Sequence, residues 1–164
     1  MFKTFEEVIA LAIGRESQAA NFYQISAAKS ERPATKSMFN ELAAEELKHK
    51  ILLEKLTSEQ LKNFKFSKIE NLGLSSIIQD APFSPDMEYP AALRIAIKKE
   101  EEAIQLYSAL AGQTALGGLK DTPECSNASE QNQIKQLFDF LVEQEKQHKN
   151  QLEAEYNDVV LKDY

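Results

Sequence analysis

The chain has 164 residues, 43% of them hydrophobic and 27% charged, with a formal net charge of −7; this is the composition of one soluble globular domain, expected to span residues 1–164. The acidic balance argues against a nucleic-acid surface. No apolar run reaches the roughly 18 residues of a membrane span, and the Glu6–Glu7 pair stands where a signal peptide would need its apolar segment.

Five Gly and five Pro are few for this length, and the helix formers Ala, Leu, Glu, Lys and Gln dominate, so an all-α protein is expected. The first helix is predicted over Thr4–Lys29, with Ile9, Ala12, Ile13, Ala19 and Tyr23 on one face. The second is predicted over Pro33–Leu56, proline suiting a first helical position. The short turn at Ser30–Arg32 makes these two antiparallel neighbours. A long connection, Thr57–Glu88, contains Gly73, Pro82 and Pro85 and can cross the length of a bundle. The third helix is predicted over Tyr89–Ala111 and the fourth over Ala128–Glu155, with Tyr156–Tyr164 extending the fourth or packing beside it. The loop between them carries Cys125, the one cysteine, which can form neither an internal disulfide nor a paired-cysteine metal knuckle. No role is assigned to it, and a reducing cytoplasm is the expected compartment.

The two halves repeat one another. ESQAANFY, Glu16–Tyr23, matches EEEAIQLY, Glu100–Tyr107, and FNELAAEELKH, Phe39–His49, matches FDFLVEQEKQH, Phe138–His148. These alignments pair Glu16 with Glu100, Glu46 with Glu145 and His49 with His148, which makes the chain a duplicated helical hairpin. On the second helix Phe39, Leu42, Glu46, His49, Leu53 and Leu56 follow steps of three and four residues, and Phe138, Leu141, Glu145, His148 and Leu152 do the same on the fourth. Those are seam positions, where apolar side chains belong. Glu16 and Glu100 interrupt the apolar stripes of the first and third helices in the same manner. Glu45, Lys48, Glu101, Glu102, Gln144 and Lys146 read as solvated surface.

Four carboxylates and two imidazoles therefore point into one interior. Left uncompensated, such charges would cost more than the whole stability of a domain, about 5–15 kcal/mol. Two divalent ions match four carboxylates in charge, and the mixed oxygen and nitrogen ligands suit iron or manganese, with zinc also compatible. Tyr23 and Tyr107 lie two turns beyond Glu16 and Glu100 on the same faces. They read either as amphipathic core residues or as hydrogen-bond donors to the metal-bound carboxylates.

A Glu from each of two helices, with Glu-x-x-His from each of two others, is the di-metal pattern of ferritin-like bundles. Through Glu16, Glu46-x-x-His49, Glu100 and Glu145-x-x-His148 the chain resembles the rubrerythrin branch of the ferritin-like superfamily, over about residues 4 to 155. The resemblance implies a ferritin-like four-helix bundle with a long crossover between its hairpins and a di-iron site. It departs from the family in two ways. Peroxidase members usually carry a four-cysteine rubredoxin domain, and an additional glutamate where this sequence has Ala103. A symmetric site of four Glu and two His follows, with electrons supplied by a separate protein.

The expected function is that of a di-iron oxidoreductase reacting with hydrogen peroxide or dioxygen, with Glu46 and Glu145 bridging the metals and Glu16 and Glu100 as terminal ligands. The alternatives are iron handling, meaning ferroxidation, storage or delivery, and a helical scaffold with a structural metal. Relatives that oxidise organic substrates need an access channel and cavity, which the sequence does not show. A homodimer is expected, with apolar residues around Ile77, Ile78 and Phe83 as its surface.

Overall fold

A computed structural model describes residues 5–56, 88–116 and 127–162. They form four helices: α1 (Phe5–Lys29), α2 (Pro33–Glu54), α3 (Tyr89–Leu116) and α4 (Asn127–Lys162). No strand occurs among the described residues, and no described helix is long and apolar enough to cross a membrane. The long connection with Ile77, Ile78 and Phe83, and the loop with Cys125, lie outside the described residues.

Local chemistry sets the helix ends. Arg32 precedes a proline and takes the extended conformation that a following pyrrolidine ring imposes, with φ −85° and ψ 120°. Pro33 then opens α2, where a backbone N–H would have had no partner. The turn at residues 30–32 is therefore short enough to lay α2 back along α1. At the other end of α2, Lys55 N–H bonds the carbonyl of Ile51.

The third helix runs further than the sequence indicates, and of the two placements expected for the C-terminal segment the extension of α4 is the one found. α3 continues past Ala111 to Leu116, because a single glycine, Gly112, costs a helix only about 1 kcal/mol. α4 continues past Glu155 as one helix to Lys162, and its last turns are tied to the rest of the bundle. Glu155 accepts hydrogen bonds from Thr35 (2.8 Å), Tyr89 (3.0 Å) and Arg32 (3.3 Å). Arg32 also reaches Asp158 at 2.8 Å, and Arg94 donates to the Tyr156 hydroxyl at 3.2 Å.

Close backbone approach is concentrated within each hairpin, α1 on α2 and α3 on α4. The core is divided into two apolar clusters. One joins Phe5, Val8, Leu53, Leu110, Phe138 and Leu141 at one end of the bundle. The other joins Phe22, Ala27, Phe39, Leu42, Leu93 and Leu152 at the opposite end. Between them all four helices carry buried charge.

Leu110 is fully buried in the first cluster. Leu110→Ala is expected to cost about 2–5 kcal/mol in denaturant unfolding while leaving metal stoichiometry unchanged, since the cluster is separate from the charged layer.

Candidate metal centre

Each of the six residues singled out on the apolar seams is buried at mid-bundle: Glu16, Glu46, His49, Glu100, Glu145 and His148 are each no more than 3% exposed. Their neighbours along each helix explain the placement. Glu16 sits between Ala12 and Ala20, Glu46 and His49 between Leu42 and Leu53, and Glu145 and His148 between Leu141 and Leu152, all buried. The apolar residues fix which face turns inward, and the charged ones are carried in with it.

One donor atom each from Glu46, His49, Glu145 and His148 lies within 4.8 Å of the other three. The remaining carboxylates flank this group. Glu16 Oε2 is 3.6 Å from His49 Nδ1, and Glu100 Oε2 is 3.8 Å from His148 Nδ1. Glu145 approaches both imidazoles, at 3.1 Å from His49 and 3.2 Å from His148, and so does Glu46, at 3.5 Å and 2.8 Å. The set thus divides into two halves, Glu16 with His49 and Glu100 with His148, sharing Glu46 and Glu145. The two rings stack at 5.4 Å between centroids, 17° apart.

Despite this proximity, Glu46 Oε1, both Glu145 oxygens and the Nδ1 atoms of both histidines are buried without a hydrogen-bond partner. Orphaned buried polar atoms are rare in folded proteins and call for an ion or water. Oxygen and imidazole donors in this number fit two divalent cations of the iron, manganese or zinc class, which would satisfy every one of these atoms.

Tyr23 and Tyr107 supply an outer layer. Each ring stacks on a phenylalanine of its own hairpin, Tyr23 on Phe39 at 6.0 Å and Tyr107 on Phe138 at 6.3 Å. Each hydroxyl crosses to the other hairpin: Tyr23 donates to Glu100 Oε1 and Tyr107 to Glu16 Oε1. Burial, together with the nearby carboxylates Glu100 and Glu16, pushes both phenols well above their ordinary pKa. They therefore keep their protons and act as fixed donors, aiming one oxygen of each flanking carboxylate.

Of two residues read as surface from the sequence, Glu45 is partly exposed but touches the site and Glu102 is buried. Glu45 is 40% exposed, yet its Oε2 lies 2.6 Å from His148 Nε2. With Nδ1 facing the carboxylate cluster, Nε2–H is the donor and Glu45 the acceptor, an arrangement that fixes the ring and raises its basicity. Duplication places the neutral Gln144 at the corresponding position of α4, so the two imidazoles differ in electrostatic support. Glu102 is 5% exposed; Arg15 of α1 (3.3 Å) and Lys99 (3.7 Å) reach its Oε2. It leaves the apolar stripe of α3, but α1 covers that flank. Glu101, Lys48 and Lys146 are exposed, as the sequence indicates.

A cavity of about 360 Å3 opens between α1 and α3 and reaches Glu16, Glu46, Glu100 and Glu145. Ala19 and Ala103 line it, and their small side chains leave the space. Periodicity finds which face is buried but not the gaps that small residues leave there, so this cavity had no signal in the sequence.

Without metal, protons are shared around the cluster. Burial pushes the carboxyls of Glu16 and Glu100 well above the ordinary range. Burial would also raise Glu46 and Glu145, but the facing imidazoles hold both below it. For the histidines burial works downward, and the surrounding carboxylates, Glu145 foremost, outweigh it: His49 is pushed up to about 12 and His148 to about 10.

The rubrerythrin family model matches residues 7–86 of the chain. No curated protein and no solved structure matches it.

Two predictions follow from this geometry. Glu45→Gln, which places the same neutral amide behind both imidazoles, is expected to weaken binding of the metal beside His148 by about 10- to 100-fold, read in a zinc titration as two binding steps closer together than in the unaltered protein. The second concerns pH. Raised histidine pKa values stabilise the metal-free fold fully below the ordinary value of 6.5, and this is lost as pH climbs through about 10 and about 12. Raised Glu16 and Glu100 act in the same direction, while depressed Glu46 and Glu145 cost stability only on acidification below the ordinary 4.5. The melting temperature of metal-free protein should therefore fall from pH 6.5 to pH 10, and the gain on adding zinc should widen over that interval.

Proposed function

The rubrerythrin family model matches residues 7–86, and from that premise we propose that the chain is a rubrerythrin-type di-iron oxidoreductase that reduces hydrogen peroxide or dioxygen. The observation that carries this reading is the convergence of both Glu-x-x-His motifs and both flanking glutamates on one buried cluster whose inward donor atoms have no other partner. A structural metal site would need only four ligands closed around one ion. Six ligands in two halves with two shared carboxylates fit a pair.

In this reading Glu46 and Glu145, each facing both imidazoles, would be shared between the two metals, with Glu16 and His49 holding one and Glu100 and His148 the other. A pair of ferrous ions held by these residues would supply the two electrons that, with two protons, convert one hydrogen peroxide to two waters. The protein's part is positional. Tyr23 and Tyr107 hold Glu100 and Glu16 across the hairpin boundary, and Glu45 holds His148. Apolar clusters lie on either side of the site, and the cavity between α1 and α3 reaches its four glutamates. Because both tyrosines retain their protons, the two protons consumed enter from solvent along that cavity rather than from the phenols. The electrons that restore the ferrous state come from a separate donor protein.

The test is to load the protein anaerobically with iron(II) and add one equivalent of peroxide per iron pair. Rapid growth of ferric near-ultraviolet absorption, with consumption of one peroxide per two irons oxidised, is expected. Metal uptake without oxidation faster than that of free iron(II) would contradict an oxidoreductase and leave a structural site. His49→Ala with His148→Ala should abolish metal uptake; unchanged metal content would contradict the ligand assignment.

A further inference from the structure

We infer that the cavity between α1 and α3 takes organic hydroperoxides, with their apolar body along Ala19, Phe22 and Ala103 and their O–O group against the glutamates of the metal centre. This deepens the reading of the di-metal site as a peroxide-reducing centre, on which it rests, by naming the class of peroxide that the site is shaped to hold.

Size is the first observation. The cavity measures about 360 Å3. A water molecule takes about 30 Å3, and an apolar cavity of about 150 Å3 holds benzene. Hydrogen peroxide would touch little of the wall, whereas a benzene-sized body fills much of the space and leaves room for water that carries protons. Pockets for organic ligands begin at about 300 Å3.

The order of the lining is the second. Glu16, Glu46, Glu100 and Glu145 form its buried inner end. Ala19, Phe22 and Ile25 of α1 and Ala103 of α3 give it an apolar wall, and Gln18 and Asn21 stand exposed at its outer part. The internal alignment that pairs Glu16 with Glu100 also pairs Ala19 with Ala103, so each hairpin sets a small side chain one turn after its flanking glutamate. A ligand matched to this order has a hydrocarbon body and one polar end. The polar group that the proposed chemistry consumes is an O–O bond.

Charge is the third. Arg15 and Lys99 also line the cavity, but both are engaged by Glu102 and have further partners. Neither is left over for an anion, so the site suits an uncharged ligand, and hydroperoxides are uncharged at neutral pH. In the step itself the O–O bond breaks and each of its oxygens gains a proton, giving one alcohol and one water. The two protons come from solvent, and two ferrous ions give up one electron each.

Two measurements test this, with metal content determined on every sample. The first is calorimetric titration of the full chain loaded with zinc, which is redox-silent. The probe is cumyl alcohol, the product of cumene hydroperoxide, and tert-butanol is its counterpart without the ring. Cumyl alcohol is expected to bind at one per chain, at least tenfold more tightly than tert-butanol, because the ring buries several more apolar carbons than the methyl group it replaces. Ala103→Leu, and separately Ala19→Leu, fill the cavity and should each weaken cumyl alcohol at least tenfold at unchanged zinc content; either variant suffices if the other does not fold. The second measurement uses the chain loaded anaerobically with iron(II). Cumene hydroperoxide should oxidise the iron with a second-order rate constant at least tenfold above that of hydrogen peroxide, and filling the cavity should lower that ratio. Oxidation by hydrogen peroxide with no binding of cumyl alcohol, or with binding unaffected by filling the cavity, overturns the cavity assignment and leaves the oxidoreductase standing. So does tert-butanol binding as tightly as cumyl alcohol, or cumene hydroperoxide reacting no faster than hydrogen peroxide. Iron taken up but oxidised by neither peroxide overturns both readings.

Discussion

Four carboxyl groups, Glu16, Glu46, Glu100 and Glu145, share the middle of the bundle with two imidazoles, and neutralising that buried charge is the constraint on which the remaining structure depends. An apolar cluster lies on either side of them, so solvent alone does not compensate charge at this depth. In the metal-free state protons do: two carboxyls held neutral by burial and two imidazoles held cationic by their neighbours. The atoms left without partners lie on the inward side of the same groups. Two divalent cations replace the protons and occupy those lone pairs together, which ties metal binding to folding stability and both to pH.

The scaffold around the charge is built to keep it in register. Each hairpin contributes a glutamate and a Glu-x-x-His, and each stacks a tyrosine on its own phenylalanine while sending the hydroxyl to the other hairpin's glutamate. The hairpins are thereby coupled through the site itself. The duplication is not complete, however. Glu45 supports His148, whereas Gln144 stands at the corresponding position for His49. The charge of Glu45 behind one imidazole, with a neutral amide at the corresponding position for the other, distinguishes the two halves of a site that is otherwise nearly symmetric.

The six inward residues were legible in the sequence because each breaks an apolar stripe at a seam position, twice over in matching register. The four helices were legible for the same reason, apart from their ends. α4 outruns its apolar pattern because Arg32, Thr35 and Tyr89, distant in sequence, converge on Glu155. Glu45 and Glu102 were hidden because a single helix shows which face is apolar but not what a neighbouring helix brings to the flanks. Glu45 meets an imidazole from α4, and Glu102 meets a guanidinium from α1. The cavity was hidden for a related reason: Ala19 and Ala103 look like ordinary core alanines until two helices are set side by side.

The central claim is that one buried cluster holds two metals, shared by Glu46 and Glu145. Anomalous diffraction at the iron edge, from crystals grown anaerobically with iron(II), tests it most directly. The account predicts two peaks at mid-bundle, one beside Glu16 and His49 and the other beside Glu100 and His148, with Glu46 and Glu145 between them. A single peak, or iron bound outside this cluster, would contradict it.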